Sequence, residues 1–375
     1  MKCIDEIPLS ELRGKRVLLR AGLDLPVNKS GEVTDLFRLK QSCATIDFLV
    51  KSGSRVIVVA KIGRDPKDSM APVAKAMEAY FPVFFVPGLR GAIVRDAIGA
   101  MKDGDVVLLE NLQQDPREVS GDDGFGKELA ALAEIYVNDA FPSVHRTSTT
   151  MVNITKFLPS YAGLLMRNEV REIDAARSPL SPSFAILGGA KFETKAPLIK
   201  LLLERYDRVF ITGALANDVF KARGLPVGRS LISKELPDVS ILEHPHFLAP
   251  IDVTTETSDG QARVKKPEDV QPDDKIVDIG PDTVAMLAPH IAGAKFILWA
   301  GPTGMYESGY IHYTQGIAQL ISESTAKKVI GGGDTIAAIE KTGVPQESLG
   351  FLSTGGGAML EYLLKGALPG TDALK

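Results

Sequence analysis

Short apolar runs recur along the chain, each followed by glycine or proline and then by an amphipathic stretch, and this rhythm constrains the fold more than any other feature. The first half holds "RVLLR" (16–20), "RVIVVA" (55–60), "FPVFFV" (81–86), "DVVLLEN" (105–111) and "IYVNDAF" (135–141). The second half holds "FAILGG" (184–189), "RVFITG" (208–213), "KIVDIG" (275–280), "KFILWAG" (295–301) and "KKVIGGG" (327–333). Runs without polar alternation suit strands buried on both faces, which means parallel sheets covered by helices. The expected class is α/β, with two Rossmann-like doubly wound domains.

Length supports the division in two. The chain has 375 residues, 45% of them hydrophobic, whereas a single core stops growing near ~250 to 300 residues. The expected domains are 1–158 and 179–359, with the segment from about 360 to 375 returning to the first. Between them, 159–178 opens at Pro159, carries a helical pattern from Ala162 to Ala176 and ends in "SPLSP", which reads as a hinge helix and linker. The polar stretch 251–275 reads as a surface hairpin with a loop.

Charge narrows the partners. With 43 basic and 47 acidic side chains the net charge is -4, which gives no long-range attraction for nucleic acid or an anionic membrane. A small-molecule partner is expected. Cys3 and Cys43 form no metal or disulfide pattern, the amino terminus has acids where a signal peptide needs an apolar core, and no apolar run approaches the ~18 residues of a membrane span. A cytoplasmic location is the expectation.

Three glycine clusters mark the ends of second-half runs. "ILGGAKFETK" places Gly188 and Gly189 ahead of Lys191 and Lys195, four residues apart and expected on one side of a starting helix. "IGGGDTIAAIEK" sets Gly331, Gly332 and Gly333 before Asp334 and Thr335, and "STGGGAMLEYL" sets Gly355 and Gly356 before another helix. Glycine allows close backbone approach, and free N–H groups at a helix start favour an anion. Three such turns with two lysines point to a polyphosphate site. Asp334 is a hard oxygen donor for Mg2+ or an N-cap, or both. Neither G-x-x-x-x-G-K-[ST] nor G-x-G-x-x-G after a strand is present, so a P-loop enzyme and a nicotinamide dehydrogenase both lose their main support.

"GGAK" (188–191) with Lys195, "DIGP" (278–281), "WAGPTGMYE" (299–307), "GGGDT" (331–335) and "STGGGA" (353–358) together resemble the nucleotide-binding half of phosphoglycerate kinase. "LLENL", "YVNDAF", "HR" at 145–146 and "KFLPSYAGLLM" resemble the family's first half and hinge. The resemblance implies MgATP or MgADP on the second domain, an acid on the first, a hinge that closes the gap, and a monomer. It implies that Lys191 and Lys195 hold the transferring phosphoryl group, Asp334 engages Mg2+ and Glu307 reaches the ribose. It also implies that Gly188, Gly189, Gly213, Pro302 and the amides near Gly331, Gly332, Gly333, Thr335, Gly355 and Gly356 line the nucleotide.

The acid side departs from the family pattern. Arg20 is followed by Gly22 where the family has Asp and by Asp24 where it has Asn. Lys61 replaces His, Gln113 replaces Arg, Pro142 replaces Gly and Ser148 replaces His, while Arg38, Arg64 and Arg146 remain. On the nucleotide side Ala300 replaces Asn, and Asp218 in "TGALAND" is unusual. Guanidinium groups bind carboxylate and phosphate bidentately, so Arg38, Arg64, Arg146 and Lys61 still suit an anionic acid. The expected activity is ATP-dependent phosphorylation of a carboxylate. The acceptor is either 3-phosphoglycerate in a compensated pocket or another small acid, such as one bearing a phosphonate or phosphate at its far end. A nucleotide-binding protein without catalysis is the rival reading, and it would have lost Arg38, Lys191, Lys195 and Asp334.

Overall fold

In the computed structural model, which describes residues Met1–Lys375, "RVLLR" forms strand β1 (Arg16–Arg20), and its side chains explain why the run does not alternate. Val17 and Leu19 belong to one buried cluster with Val56 and Val58, whereas Leu18 belongs to another with Ile57, Val59 and Tyr136. Each strand face has its own core, so Val17, Leu18 and Leu19 are all apolar.

Two compact units result, Met1–Arg171 with Ala367–Lys375, and Glu172–Gly366. The division falls inside the helix Leu164–Arg177. In the first unit β2 (Arg55–Val59), β3 (Val83–Val86), β4 (Val106–Leu109), β5 (Ile135–Asn138) and β6 (Ser160–Ala162) join β1 in a sheet of order β3-β4-β2-β1-β5-β6. All its pairings are parallel.

The second unit builds a six-stranded parallel sheet from β7 (Ser183–Leu187), β8 (Arg208–Ile211), β9 (Phe247–Leu248), β13 (Phe296–Ala300), β14 (Lys327–Gly331) and β15 (Phe351–Leu352), in the order β15-β14-β13-β7-β8-β9. A separate antiparallel sheet, β11-β10-β12, comes from β10 (Val253–Glu256), β11 (Ala262–Lys265) and β12 (Lys275–Ile279). The α/β class with two doubly wound parallel sheets is therefore the fold of the chain.

Three details differ from the sequence reading. "KIVDIG" is no strand of the parallel sheet: β12 pairs antiparallel with β10, the first strand of the hairpin, with Val253 opposite Ile279. Its first two residues are only half-buried, which an apolar run in a sequence does not reveal. "FPVFFV" yields an edge strand on which Phe84 is 63% exposed, not one buried on both faces. The helix expected from Ala162 begins at Leu164, because residues 160–162 extend β5's side of the sheet as β6.

The last nine residues pack against the first unit, where Gly370 N–H donates to Val144 O at 2.9 Å and Leu368 and Leu374 are buried. Burying a leucine is worth roughly 1.5 to 3 kcal/mol. Deleting 367–375 should therefore lower the stability of the first unit by about 3 kcal/mol or more on the same scale. Urea denaturation followed by a probe in that unit reads the effect.

Candidate active site

Parallel strands of the second unit deliver helix starts to one rim. After β7 comes the helix Phe192–Arg205, after β8 the helix Ala214–Ala222, after β14 the helix Gly333–Thr342 and after β15 the helix Gly356–Lys365. The dipoles of these helices make the rim electropositive without any side chain. The loops meet backbone to backbone. A Cβ on Gly301 would stand 2.5 Å from Gly188 C, and one on Gly188 would stand 2.7 Å from Pro302 O, so only glycine fits. Gly188 N–H donates to Ala300 O at 2.7 Å.

Lys191 does not share a helix face with Lys195. It is the N-cap, in the left-handed region at φ 62, a conformation that costs a non-glycine residue roughly 1 to 2 kcal/mol. The turn is held by a relay: Phe192 N–H donates to Ser233 Oγ at 2.8 Å, whose hydroxyl donates to Asp218 Oδ2 at 2.8 Å. Asp218 is fully buried, and burial pushes its pKa up despite the Ser233 donors. Lys195 lies within the first turns of the helix, half-buried, and burial alone pulls its pKa down. No carboxylate compensates that buried charge, so an anionic ligand is its natural partner.

Beside this rim lies a cavity of about 490 Å³. Of the expected nucleotide residues, Gly189, Gly213, Pro302, Glu307 and Asp334 line it. Gly188, Ala300, Gly331, Gly332, Gly333, Thr335, Gly355 and Gly356 occupy strand ends and helix starts outside that lining, as do Lys191 and Lys195. Thr335 is buried and structural: its hydroxyl donates to Gly331 O at 2.9 Å and accepts Gly301 N–H at 2.7 Å. The single tryptophan, Trp299, is core and donates its Nε1–H to Gly301 O at 2.7 Å.

Sequence reasoning missed the apolar wall formed by Phe220, Leu231, Val253 and Ile276, which come from separate segments. It also missed Tyr306, whose hydroxyl lies 3.4 Å from Asp334 Oδ1 and whose pKa is pushed up to about 12 by burial first and then by Asp334 and Glu307. Asp334 is exposed in the first turn of its helix, after the N-cap Gly332. No cluster of three or more His, Cys, Asp or Glu forms a metal cage. Mg2+ that retains waters and bridges phosphate needs only one or two carboxylates, so the lone Asp334 fits it. Asp278, from the "DIGP" motif, lines the cavity with its pKa pushed up to about 7, because burial outweighs donors from Thr303, Ile279 and Tyr313.

The first unit carries a second pocket of about 380 Å³, which brings together Arg20, Lys61, Gln113 and Arg146 with Glu118 and His145. Arg20 ends β1, 2% exposed, and donates to Ala21 O at 2.6 Å and to Thr150 Oγ1 at 3.1 Å. Glu118 faces it and accepts from Ser148 Oγ at 2.9 Å and from Thr150 N–H at 3.0 Å. Burial pulls the Arg20 pKa down and pushes the Glu118 pKa up, and each charge opposes the other's shift.

Asp24, Gly22, Arg38 and Arg64 stand outside that lining. The Asp24 carboxylate pairs with the Lys61 ammonium and accepts Gly63 N–H at 2.9 Å, while Arg38 Nη1 donates to the Asp24 carbonyl at 2.8 Å. A Cβ on Gly22 would lie 3.2 Å from Pro142 Cδ. Arg64 is exposed on the following loop. Four of the positions expected to depart from the family pattern are thus in contact in pairs, Gly22 with Pro142 and Asp24 with Lys61.

Two outcomes follow for the second unit. Ser233→Ala removes the acceptor of Phe192 N–H and the hydroxyl donor to the buried Asp218 Oδ2, leaving only the backbone N–H of residue 233 on Asp218, which should cost about 1 to 3 kcal/mol and raise KM for the nucleotide, read by denaturation and steady-state kinetics. Asp278 is raised from 3.8 to about 7, so between those values the folded state holds a proton that the unfolded state has released. Stability of the unit should therefore fall as pH rises through this window. Asp278→Asn should flatten that fall, as measured by urea midpoints at pH 4.5 and 7.5.

Comparison with known proteins agrees with this architecture. Residues 4–366 match the family described as "Phosphoglycerate kinase". A phosphoglycerate kinase of Granulibacter bethesdensis is 38% identical over 389 aligned positions, covering 97% of this chain and 98% of the relative. One of Aquifex aeolicus is 38% identical, covering 96% and 95%. The crystal structure of phosphoglycerate kinase from Pyrococcus horikoshii superimposes with a TM-score of 0.87 at 27% identity, covering 100% of this chain and 98% of that one. No helix is long and apolar enough to cross a membrane. With its two parallel-sheet units, its glycine-bounded rim and its paired lysines, the chain belongs to the phosphoglycerate kinase family and is a phosphotransferase of that family.

Proposed function

We propose that the chain transfers the γ-phosphoryl group of MgATP to the carboxylate of a small anionic acid, giving an acyl phosphate and ADP, and catalyses the reverse. A carboxylate oxygen attacks the γ-phosphorus, the bond to the β,γ-bridging oxygen breaks, and ADP carries the released electron pair. The observation that carries this reading is Lys195: a half-buried ammonium without a carboxylate, behind Gly188 and Gly189, at a rim of helix starts beside a nucleotide-sized cavity. Such transfer asks the protein mainly to position reactants and to neutralise charge.

In this reading Lys191 and Lys195 neutralise the moving phosphoryl group from the nucleotide side and Arg38 does so from the acid side. The amides of Gly188, Gly189, Gly331, Gly332, Gly333, Thr335, Gly355 and Gly356 hold the phosphates. The base lies against the apolar wall near Gly213, Ala300 and Pro302, with Glu307 at the ribose. Asp334 holds Mg2+, which draws charge off the phosphate oxygens when bound. Arg20, Gly22, Asp24, Lys61, Arg64, Gln113 and Arg146 shape the acid's pocket. A second reading, in which the acid is 3-phosphoglycerate itself, is favoured by the name that the relatives carry.

The test is ADP formation from MgATP over a panel of small acids, with hydroxylamine present to trap acyl phosphate as the hydroxamate. Lys195→Ala and Arg38→Ala should each lower kcat about 10²- to 10³-fold, the scale for losing one preorganised stabilising group, with folding intact by circular dichroism. Turnover that survives Lys195→Ala would strip Lys195 of its role, and nucleotide binding without hydroxamate from any acid would leave a non-catalytic paralogue.

A further inference from the structure

We infer that Asp218 is a positioning residue for phosphoryl transfer: through Ser233 it holds the backbone turn that sets the direction in which the Lys191 side chain leaves the chain. The inference rests on the proposed role of Lys191 at the transferring phosphoryl group and deepens it. Asp218 itself meets neither nucleotide nor acid and acts only through the turn.

One helix grips the chain on both sides of Lys191. At the start of the helix Ala214–Ala222, Leu215 N–H donates to Gly189 O at 3.0 Å, ahead of the lysine. One turn later Asp218 reaches the residue behind it, since Oδ2 accepts the Ser233 hydroxyl at 2.8 Å and Ser233 Oγ accepts Phe192 N–H at 2.8 Å. Only Ala190 and Lys191 lie between these two ties. Lys191 closes the span in the left-handed region at φ 62, and no other residue of the chain except glycine has a positive φ. A lysine does not hold that backbone unaided, because its Cβ crowds the carbonyl that follows. The ties hold it there, and a turn relaxed to negative φ would send the ammonium elsewhere.

Asp218 is what makes Ser233 an acceptor. A serine hydroxyl rotates to suit its neighbours; here its proton is committed to Asp218, which leaves the Oγ lone pairs to Phe192 N–H. Ser233 is fixed in place by its own N–H, donated to Asp218 Oδ1 at 2.7 Å. The preceding residue of the helix adds a further anchor to the same segment, with Asn217 Nδ2 donating to Leu231 O at 3.1 Å. Asp218 is fully buried. A buried carboxylate is a costly way to fill space but an effective way to fix one hydroxyl.

A double-mutant cycle tests this, read by hydroxamate formation from MgATP and 3-phosphoglycerate in hydroxylamine, or from the fastest acid of the panel should 3-phosphoglycerate give none. Asp218→Ala should lower kcat/KM for MgATP by about 10-fold or more in the otherwise unaltered chain but by less than about 3-fold in a Lys191→Ala background, because residues that act as a unit are not additive. Asp218→Asn should stay within about 3-fold of the unaltered chain, since its carbonyl can take Ser233 N–H while its amide donates to Ser233 Oγ, which still accepts Phe192 N–H. Should Asp218→Ala fail to fold by circular dichroism, Ser233→Ala replaces it in the cycle with the same coupling expected. Equal losses in the two backgrounds, unchanged kcat/KM in Asp218→Ala, or an Asp218→Asn chain as impaired as Asp218→Ala overturns the inference and leaves the role of Lys191 standing. Full activity of Lys191→Ala, or no hydroxamate from any acid, instead strikes the underlying reading and takes the inference with it.

Discussion

Where β7 and β13 end, two glycines lie so close that neither tolerates a Cβ: Gly301 would place one 2.5 Å from Gly188 C. Because β7 and β13 are neighbours in register, Leu187 beside Ala300, this contact draws the following loops together. Lys191 turns at the start of the helix Phe192–Arg205, and Thr335 ties Gly301 to Gly331. The electropositive rim is a consequence of that packing. Removing it would separate the helix starts before it touched any ligand contact.

In the first unit the controlling constraint is the charge pairing at the end of β1. Arg20 sits in the core only because Glu118 faces it and because Ser148 and Thr150 supply Glu118 with donors. Burying either ion alone would cost several kcal/mol. The pair organises the pocket, and Asp24 with Lys61 repeats the arrangement at the loop that follows. The departures at Asp24 and Lys61 compensate each other in charge, and those at Gly22 and Pro142 compensate each other in volume.

The fold was legible where burial leaves a mark on composition. β1 reads as a strand because its two faces enter two cores, and the glycine clusters read as helix starts because Gly188 and Gly331 are too crowded for a Cβ and Gly189, Gly332 and Gly356 turn at positive φ. "KIVDIG" misled because an apolar run records burial, not the direction of its partner, and β12 pairs with a hairpin instead of the main sheet. The lysine pair misled for a local reason: helical spacing assumes that both residues are in the helix, whereas Lys191 is held in the left-handed region before it. The apolar wall left no trace at all. Phe220, Leu231, Val253 and Ile276 sit on different elements, and no period links them.

The two pockets are built from different material, and this bears on how such a chain can change. The rim of the second unit draws much of its charge from backbone N–H groups, which every residue but proline supplies, so substitutions around it other than at Lys191, Lys195 and Asp334 leave its electrostatics nearly untouched. Gly188 and Gly301 are constrained by volume. The pocket of the first unit is made of side-chain charges, and a change such as Asn to Asp at position 24 alters its charge by a full unit without altering the strand beneath it. Specificity for the acid is therefore free to move while the phosphoryl-binding apparatus stays in place. Asp24 is met in this way by Lys61, since a carboxylate at the mouth of a basic pocket is held most readily where an ammonium is there to meet it.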